Sequence, residues 1–294
     1  MESKERTHRA PGRSQSTQIG KAGPCVKASL GLFVVLLAGG LMLELSAMPA
    51  AAAGGTQPFK LTNIHFETNA SACDMGIQIK FDTDGVTGGM VKDPTGRKIY
   101  GFGSENGMKA TGGQTEGFLE GVEPQITELL SALGCEPSDE EGQTSLDQLF
   151  AAWPAGDYSF RGISKGTKFA DQATLTHLIP AGPTIVAPAN GTVVPVAPVL
   201  LDWNPVTEPI LPSLGPVNIV GYHVTIEEVT GAEGPPELDL DLPSNQTSVT
   251  IPAEFLKPST EYKFEIFATE ESNNQTFTEG FFCTTGVAKC AAPE

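Results

Sequence analysis

A short stretch near the C-terminal end constrains the fold more than any other part of the sequence. Pro258 fixes its own φ angle and lacks a backbone N–H group, so an extended segment that reaches it must turn there. Apolar and polar residues then alternate from Tyr262 to Ala268, which is the pattern of a half-buried β-strand. Leu256 precedes the turn, and Tyr262 is placed to bury its ring and return its hydroxyl group to the backbone upstream. These residues predict the corner of a β-sandwich.

Further short strands flank this corner, with Pro, Gly or Asn at the turns between them. An edge strand is expected before Pro188, and alternation predicts six more strands: Val199–Trp203, Ile219–Val229, Glu237–Leu242, Ser248–Ile251, Glu261–Thr269 and Gln275–Thr284. Seven short strands with turns between them predict a β-sandwich for residues 184–285.

The Leu-x-Pro-x-Thr-x-Tyr run at the corner resembles the corner between strands E and F of fibronectin type III domains. Trp203 stands where that family has the tryptophan of strand B, and Tyr222 where it has the tyrosine of strand C. The resemblance implies a fibronectin type III fold over residues 184–285. The longer proline-rich connection over residues 206–217 departs from the family pattern. The chain also looks like secreted bacterial proteins that carry one such domain, which implies export and no particular activity.

Residues 1–53 have the order of a secretory signal peptide. Basic residues over 1–27 precede an apolar run over 28–43, and small residues follow up to Ala53. The apolar run is shorter than the roughly 20 residues that a membrane-spanning helix needs. We therefore expect a secreted or periplasmic protein, and an uncleaved anchor over residues 28–45 is the alternative.

The charge balance restricts the partners. The chain has a formal net charge of −17, and removal of residues 1–53, with six basic and three acidic residues, leaves 12 basic and 32 acidic side chains and a net charge of −20. Such a surface repels nucleic acid and anionic membranes. We expect no nucleic-acid partner, and membrane association only if the N-terminal segment stays attached.

Four cysteines lie beyond the leader, and an even number in an exported chain predicts disulfides. Three connectivities are open. The pairs Cys73–Cys135 and Cys283–Cys290 keep each bridge within one domain or its tail, and we expect these two.

Residues 57–178 form the first predicted domain, a β-rich, immunoglobulin-like fold with one or two short helices. Strands are predicted at Phe59–Phe66, Gly76–Asp82, Gly89–Lys92, Lys98–Phe102, Thr115–Val122 and Phe169–His177, and helices at Pro124–Leu133 and Ser145–Trp153. A Gly-rich loop is expected over 103–117 and an acidic loop over 137–142. Residues 179–183, with two prolines and a glycine, are the predicted linker, and residues 286–294 are a tail.

No motif predicts a catalytic set, a cofactor site or a metal site. The D-x-D-G at residues 82–85 begins like a calcium loop, but Val91 stands where such a loop needs its final glutamate. Four acidic residues offer a glycosidase pair whose separation the sequence does not reveal: Glu105, Glu116, Glu120 and Glu123. Three histidines are expected on strand faces or at the surface: His65, His177 and His223. Four asparagines lie in Asn-x-Ser/Thr sequons that matter only in a glycosylating host: Asn69, Asn190, Asn245 and Asn274.

The sequence thus predicts an exported, non-enzymatic protein, without cofactor, that binds a protein or carbohydrate ligand outside the cytoplasm. Recognition is expected in the long loops of the first domain, because irregular loops on a rigid β scaffold usually carry binding residues. Two alternatives stay open: a polysaccharide-acting enzyme or carbohydrate-binding accessory protein, and a membrane-anchored structural spacer.

Cleavage of the leader tests whether residues 1–53 are a signal peptide or an anchor. We expect signal peptidase to cleave near Ala53–Gly54, because small residues occupy that site. The intact mass of the protein from its own cells measures this. A membrane-bound species that retains residues 1–27 would favour the anchor.

Overall fold

A computed structural model describes residues 55–138, 142–229, 237–287 and 290. The predicted leader and anchor lie outside these residues. The N-terminal half contains ten strands and three helices: β1 (Thr56–Gln57), β2 (Leu61–Asn69), β3 (Asp74–Val86), β4 (Gly88–Lys92), β5 (Lys98–Gly103), α1 (Asn106–Thr111), β6 (Gln114–Glu120), β7 (Gln125–Ile126), α2 (Thr127–Leu133), β8 (Gln143–Thr144), α3 (Leu146–Ala152), β9 (Gly156–Ser164) and β10 (Thr167–Leu175). The C-terminal half contains eight strands: β11 (Thr184–Ala187), β12 (Thr192–Val194), β13 (Val199–Asn204), β14 (Ile219–Glu228), β15 (Glu237–Pro243), β16 (Ser248–Ile251), β17 (Glu261–Glu270) and β18 (Gln275–Thr284). The protein is mainly β, with two sandwich-like parts.

The first sandwich has an aromatic core between two sheets. One sheet has the order β1-β10-β9-β4-β5, and β2, β3 and β6 belong to the other. The ring of Phe59 meets the rings of Phe81, Phe160 and Phe169 edge-on, with centroids 6.0–6.2 Å apart. Period-two alternation on β3 and β9 directs these apolar side chains inward. The strands and the β4–β5 hairpin agree with the predicted ones to within a few residues.

The two predicted helices are present, and local signals explain their ends. Ser145 and Gln148 form a reciprocal capping box at the start of α3. Gly134 ends α2 in the left-handed conformation, with φ of 78°. The inward-facing leucines of both helices are buried in the first core: Leu129, Leu146 and Leu149.

The prediction of a long loop over residues 103–117 is wrong. Helix α1 and strand β6 occupy most of this stretch, and β6 pairs with β3 along Glu116–Glu120. Strand β6 corresponds to the strand predicted at Thr115–Val122, and Gly117 in it lies against β3, where a Cβ atom would come within 2.5 Å of the Phe81 ring. Only Gly112 and Gly113, with φ of 124° and 94°, serve as turn residues.

The second sandwich has a three-stranded sheet, β11-β13-β16, opposite the strands β15-β14-β17-β18. Trp203 and Tyr222 are buried between them, with ring centroids 5.4 Å apart. The Tyr222 hydroxyl accepts a hydrogen bond from the backbone N–H of Val206 at 2.9 Å. The Tyr262 hydroxyl accepts one from the N–H of Lys257 at 2.7 Å, across the corner in which Leu256 is buried and Pro258 exposed.

A parallel strand pair joins the two sandwiches. The start of β18 runs alongside β2, with Gln275 opposite Glu67 and Phe277 opposite Asn69. This pairing extends the sheet from β15 to β8 in the order β15-β14-β17-β18-β2-β3-β7-β8. The protein therefore has one sheet that belongs to both hydrophobic cores.

Asn274, in the turn before β18, fixes this junction. Its side chain is fully buried, and its amide oxygen accepts a hydrogen bond from the backbone N–H of Phe66 at 2.8 Å. Its amide nitrogen donates to the carbonyl oxygens of Thr176 at 3.2 Å and Leu178 at 2.9 Å. One carboxamide thus links β2, the segment after β10 and the β17–β18 turn.

The proline-rich connection between β13 and β14 reinforces the junction. Ile210 is buried in the first core although its neighbours in sequence belong to the second sandwich. Its backbone N–H donates to the carbonyl of Ile179 at 2.9 Å, and the N–H of Ala181 donates to the carbonyl of Glu208 at 3.0 Å. The predicted linker residues are held between the two sandwiches by these bonds.

Both expected cysteine pairs form disulfides. The sulfur atoms of Cys73 and Cys135 are 1.97 Å apart, and those of Cys283 and Cys290 are 2.09 Å apart. Disulfides persist in oxidising compartments, so the two bridges indicate an extracytoplasmic setting. Among the described residues, no helix has both the length and the apolar character to cross a membrane.

Replacement of Asn274 tests the junction. We expect Asn274→Ala to lower the free energy of unfolding by about 2–5 kcal/mol, because it leaves buried backbone donors and acceptors without partners. The matched control is Asn245→Ala, which removes an exposed amide and should change stability by less than about 0.5 kcal/mol. Urea unfolding of both variants measures the difference, and equal stabilities would contradict the assigned role of Asn274.

Candidate functional site

The outer side of the joined sheet carries mostly polar side chains, with three phenylalanines among them, from one sandwich to the other. On each strand, alternate residues fill a core and the rest point to this side. We call it the shared face; its principal members are Asn63, His65 and Glu67 on β2, Gln78 and Lys80 on β3, Phe118 and Glu120 on β6, Gln275, Phe277 and Glu279 on β18, Lys263, Glu265, Phe267 and Thr269 on β17, His223 and Thr225 on β14, and Asp239 and Asp241 on β15.

A cleft of about 400 Å³ opens on the shared face where the two sandwiches meet. The first sandwich contributes Asn63, His65, Gln78, Lys80 and Phe118 to its lining. The second sandwich contributes Asp241, Thr269, Asn273 and Gln275. Its volume lies within the range of roughly 300–1,000 Å³ that small-molecule sites occupy.

His65 is the most unusual residue of the cleft. Its side chain is only 8% exposed, and neither ring nitrogen has a hydrogen-bond partner in the described part of the chain. Burial lowers the pKa of His65 to about 4, and the neighbouring Gln78 amide offsets part of this shift without a hydrogen bond of normal geometry. The ring is therefore neutral at pH 7, with one nitrogen as donor and the other as acceptor.

Two glutamines at the cleft are oriented by the half-buried Glu67. Gln78 donates from its amide nitrogen to Glu67 at 2.6 Å and, more weakly, to Glu120 at 3.4 Å. Gln275 donates to the other carboxylate oxygen of Glu67. Burial raises the pKa of Glu67, and the negative charges of Glu120 and Glu265 add to the shift. Both amide groups are thus held in fixed positions beside His65.

The structure brings together two of the four acidic residues that sequence reasoning offered as a catalytic pair. Carboxylate oxygens of Glu120 and Glu123 lie within 4.8 Å of each other and of Glu67. Glu116 is on β6 opposite Asp82, and Glu105 precedes α1, so neither belongs to this cluster. The cluster borders the cleft at Gln78 and does not line it.

The part of the shared face on β14 and β17 is closed by its own contacts. Lys263 bonds to Glu265 and Glu279, each at 2.8 Å. Burial alone would lower the pKa of Lys263, but these two carboxylates outweigh it and raise the pKa. Phe267 stacks against Phe277 with ring centroids 4.7 Å apart. This region offers few unsatisfied polar groups, and the cleft is the open part of the face.

The other predicted site residues lie elsewhere. The four disulfide cysteines and the buried tyrosines and tryptophan serve the cores. His177 stacks on Phe150 with ring centroids 3.8 Å apart and contacts the Trp153 carbonyl, and His223 bonds to Asp241 at 2.9 Å. Asp84 of the rejected calcium-like loop pairs with Lys60 at 2.6 Å.

Sequence reasoning missed the cleft because its two sides come from distant strands. The sequence signal that could have located the cleft is a set of polar residues that alternate with inward-facing apolar residues on β2 and β3. These polar residues are Asn63, His65, Glu67, Gln78 and Lys80. Residues 139–141 of the predicted acidic loop lie outside the described residues.

Comparisons with known proteins identify no family. No family model matches the chain, and no curated protein matches it. Among solved structures, the FN5 domain of Drosophila Lar covers 37% of this chain and 99% of its own length, at 17% identity and a TM-score of 0.26. The FN3 domain of human collagen XX covers 36% of this chain and 90% of its own length, at 16% identity and a TM-score of 0.26. The chicken CNTN1 FN1–FN3 domains cover 78% of this chain and 66% of their own length, at 11% identity and a TM-score of 0.29. With TM-scores this low, the functional interpretation depends on the geometry of the cleft alone.

The buried imidazole predicts a specific pH dependence of stability. Because the pKa of His65 falls from 6.5 in the unfolded chain to about 4 in the folded one, the unfolded chain binds more protons between these values. The contribution of the neutral His65 ring to the free energy of unfolding is fully present above pH 6.5. As the pH falls towards 4, up to about 3 kcal/mol of it is lost.

We expect His65→Gln to flatten this part of the stability profile in urea unfolding between pH 4 and 7. Thr269→Ala, which alters the same cleft without removing a titrating group, should keep the wild-type slope. Parallel profiles for His65→Gln and the wild-type protein would contradict the assignment.

Proposed function

We propose that the protein is an exported, non-enzymatic binding protein that holds a small polar ligand in the cleft between its two sandwiches. The observation that carries this proposal is the unpartnered, buried ring of His65. A buried polar group without a hydrogen bond costs about 1–3 kcal/mol, so such groups in a stable fold normally have a partner. A ligand in the cleft can supply that partner once a side-chain movement uncovers the ring nitrogens, which solvent does not reach in this structure.

The surroundings of His65 support a ligand role. The joined sheet is a rigid support, and the carboxylate of Glu67 fixes the amides of Gln78 and Gln275 before any ligand arrives. Preformed sites bind more tightly because less side-chain freedom is lost on binding. The cleft therefore has the organisation of a binding site.

The proposed site differs in position from the expected one. Sequence reasoning placed recognition in the loops of the first domain, but residues 103–117 are mostly helix and strand. The cleft takes lining residues from both sandwiches. We therefore propose that binding requires the intact, joined protein and that neither part is sufficient alone.

The two disulfides support the proposed location outside the cytoplasm, where the partner would also be found. The proposal includes no chemical turnover of the ligand and no cofactor.

Arrays of glycans, peptides and small metabolites, probed with the exported protein, test this function. We expect Phe118→Ala and Thr269→Ala, one from each side of the cleft, to weaken array binding about tenfold. Thr250→Ala, an exposed residue on the opposite sheet of the second sandwich, is the matched control and should bind as the wild-type protein does.

Two results would overturn the proposal. One is ligand binding that both cleft variants retain in full. The other is conversion of a bound ligand to product by the wild-type protein, detected by mass spectrometry of the recovered ligand.

A further inference from the structure

We infer that the ligand of the cleft is a neutral saccharide of one or two rings, held by amide and imidazole groups and covered on one side by Phe118. This inference rests on the proposed function and specifies its ligand. Four features of the cleft lead to it: its charge, its hydrogen-bonding groups, its exposed aromatic ring and its position on the sheet.

The cleft is close to electrically neutral although the protein is strongly acidic. Lys80 and Asp241 are the charged residues among its lining groups, and they are of opposite sign. Asp241 also bonds to His223. An anionic ligand would find a single, exposed lysine, and the carboxylates of Glu67, Glu120 and Glu123 that could attract a cation lie beyond Gln78, outside the lining. The lining itself therefore favours a neutral ligand.

The hydrogen-bonding groups are of the kind that match hydroxyl groups. Asn63, Gln78, Asn273 and Gln275 each carry a carboxamide, which has both donors and an acceptor. The neutral ring of His65 likewise has one donor and one acceptor. A hydroxyl group also both donates and accepts, so a ring with several hydroxyls can satisfy these groups together. It reproduces the hydrogen bonds of the water that it displaces.

Asn63 and His65 carry the cleft atoms that lack hydrogen-bond partners. The side-chain oxygen of Asn63 and both ring nitrogens of His65 are buried and without partners in the described ranges. They lie two residues apart on β2, on the same side of the strand. A polyhydroxylated ring lying along β2 would reach both residues.

Phe118 supplies the apolar contact that a sugar ring requires. It is 59% exposed, which is unusual for a large aromatic side chain, and it lies opposite Lys80 on strand β6. One face of a pyranose ring presents C–H groups, and the negative face of an aromatic ring attracts them. An exposed phenylalanine beside a set of amides therefore provides both kinds of contact.

The position of the cleft argues against a peptide. It lies on the face of the joined sheet, where β2 pairs with β3 along its whole length and with β18 at Glu67–Asn69. An extended peptide adds to a free sheet edge, where main-chain hydrogen bonds provide its affinity. The lining also lacks the apolar pockets that anchor peptide side chains.

Isothermal titration calorimetry of the exported protein with neutral and charged sugars tests the inference. The probes are cellobiose, maltose, lactose and N,N′-diacetylchitobiose, with glucuronic acid and glucosamine as charged comparisons. We expect at least one neutral disaccharide to bind, and Asn63→Ala and Phe118→Ala each to weaken that binding about tenfold. Thr250→Ala, an exposed residue on the opposite sheet of the second sandwich, is the matched control. Because Asn63 and Phe118 lie outside the cores, thermal melting should confirm that both variants stay folded.

The outcomes separate the inference from the proposed function. Absence of binding to every neutral sugar, or binding that Asn63→Ala and Phe118→Ala leave unchanged, would overturn the saccharide inference. Binding of a peptide or a charged metabolite that these variants abolish would also overturn it, while the proposed binding function would stand. The proposed function fails if no ligand of any class depends on the cleft, or if a bound ligand is converted to product.

Discussion

The parallel pairing of β18 with β2 is the interaction on which the rest of the structure depends. Three residues of each strand take part, so the backbone hydrogen bonds of the pair are few. The carboxamide of Asn274 strengthens it by bonding to three backbone groups of the first sandwich. Ile210 adds apolar contact by entering the first core from the second sandwich. Together these contacts join two sandwiches that follow one another in the sequence. The two then share one sheet, and each part of that sheet covers its own hydrophobic core.

The cleft is a direct consequence of this pairing. The lining comes from six strands and a turn: the first sandwich supplies the imidazole, the aromatic ring and two of the amides, and the second supplies the other two amides. Three of the buried side-chain atoms without a partner in the described residues lie there, one on Asn63 and two on His65, and the others are on Thr68, Trp203 and Glu270. Functional sites are where a fold commonly departs from the rule that buried polar groups are paired. The rest of the shared face follows that rule, as the ion pairs of Lys263 show.

The sequence predicts the local elements well and the assembly poorly. Alternation locates β3, β14 and β17, since the period of a strand is set by neighbouring residues. Ser145 and Gly134 mark helix ends for the same reason. The contact of Gln275 with Glu67 joins residues 208 positions apart, and nothing within either strand specifies its partner. The expected loop extended to Gly117 although a strand was predicted from Thr115, because the role of Gly117 depends on the ring of Phe81, which lies on another strand.

Asn274 also occupies the acceptor position of an Asn-Gln-Thr sequon. The oligosaccharide in a glycosylating host is attached to the side-chain nitrogen of asparagine, and in this protein that nitrogen is the donor to Thr176 and Leu178. Attachment during synthesis would precede folding and would put a branched sugar where the two sandwiches meet. The choice of production host therefore affects whether β18 can pair with β2. Bacterial secretion leaves the Asn274 amide unmodified, whereas a eukaryotic secretory pathway could glycosylate it before the chain folds.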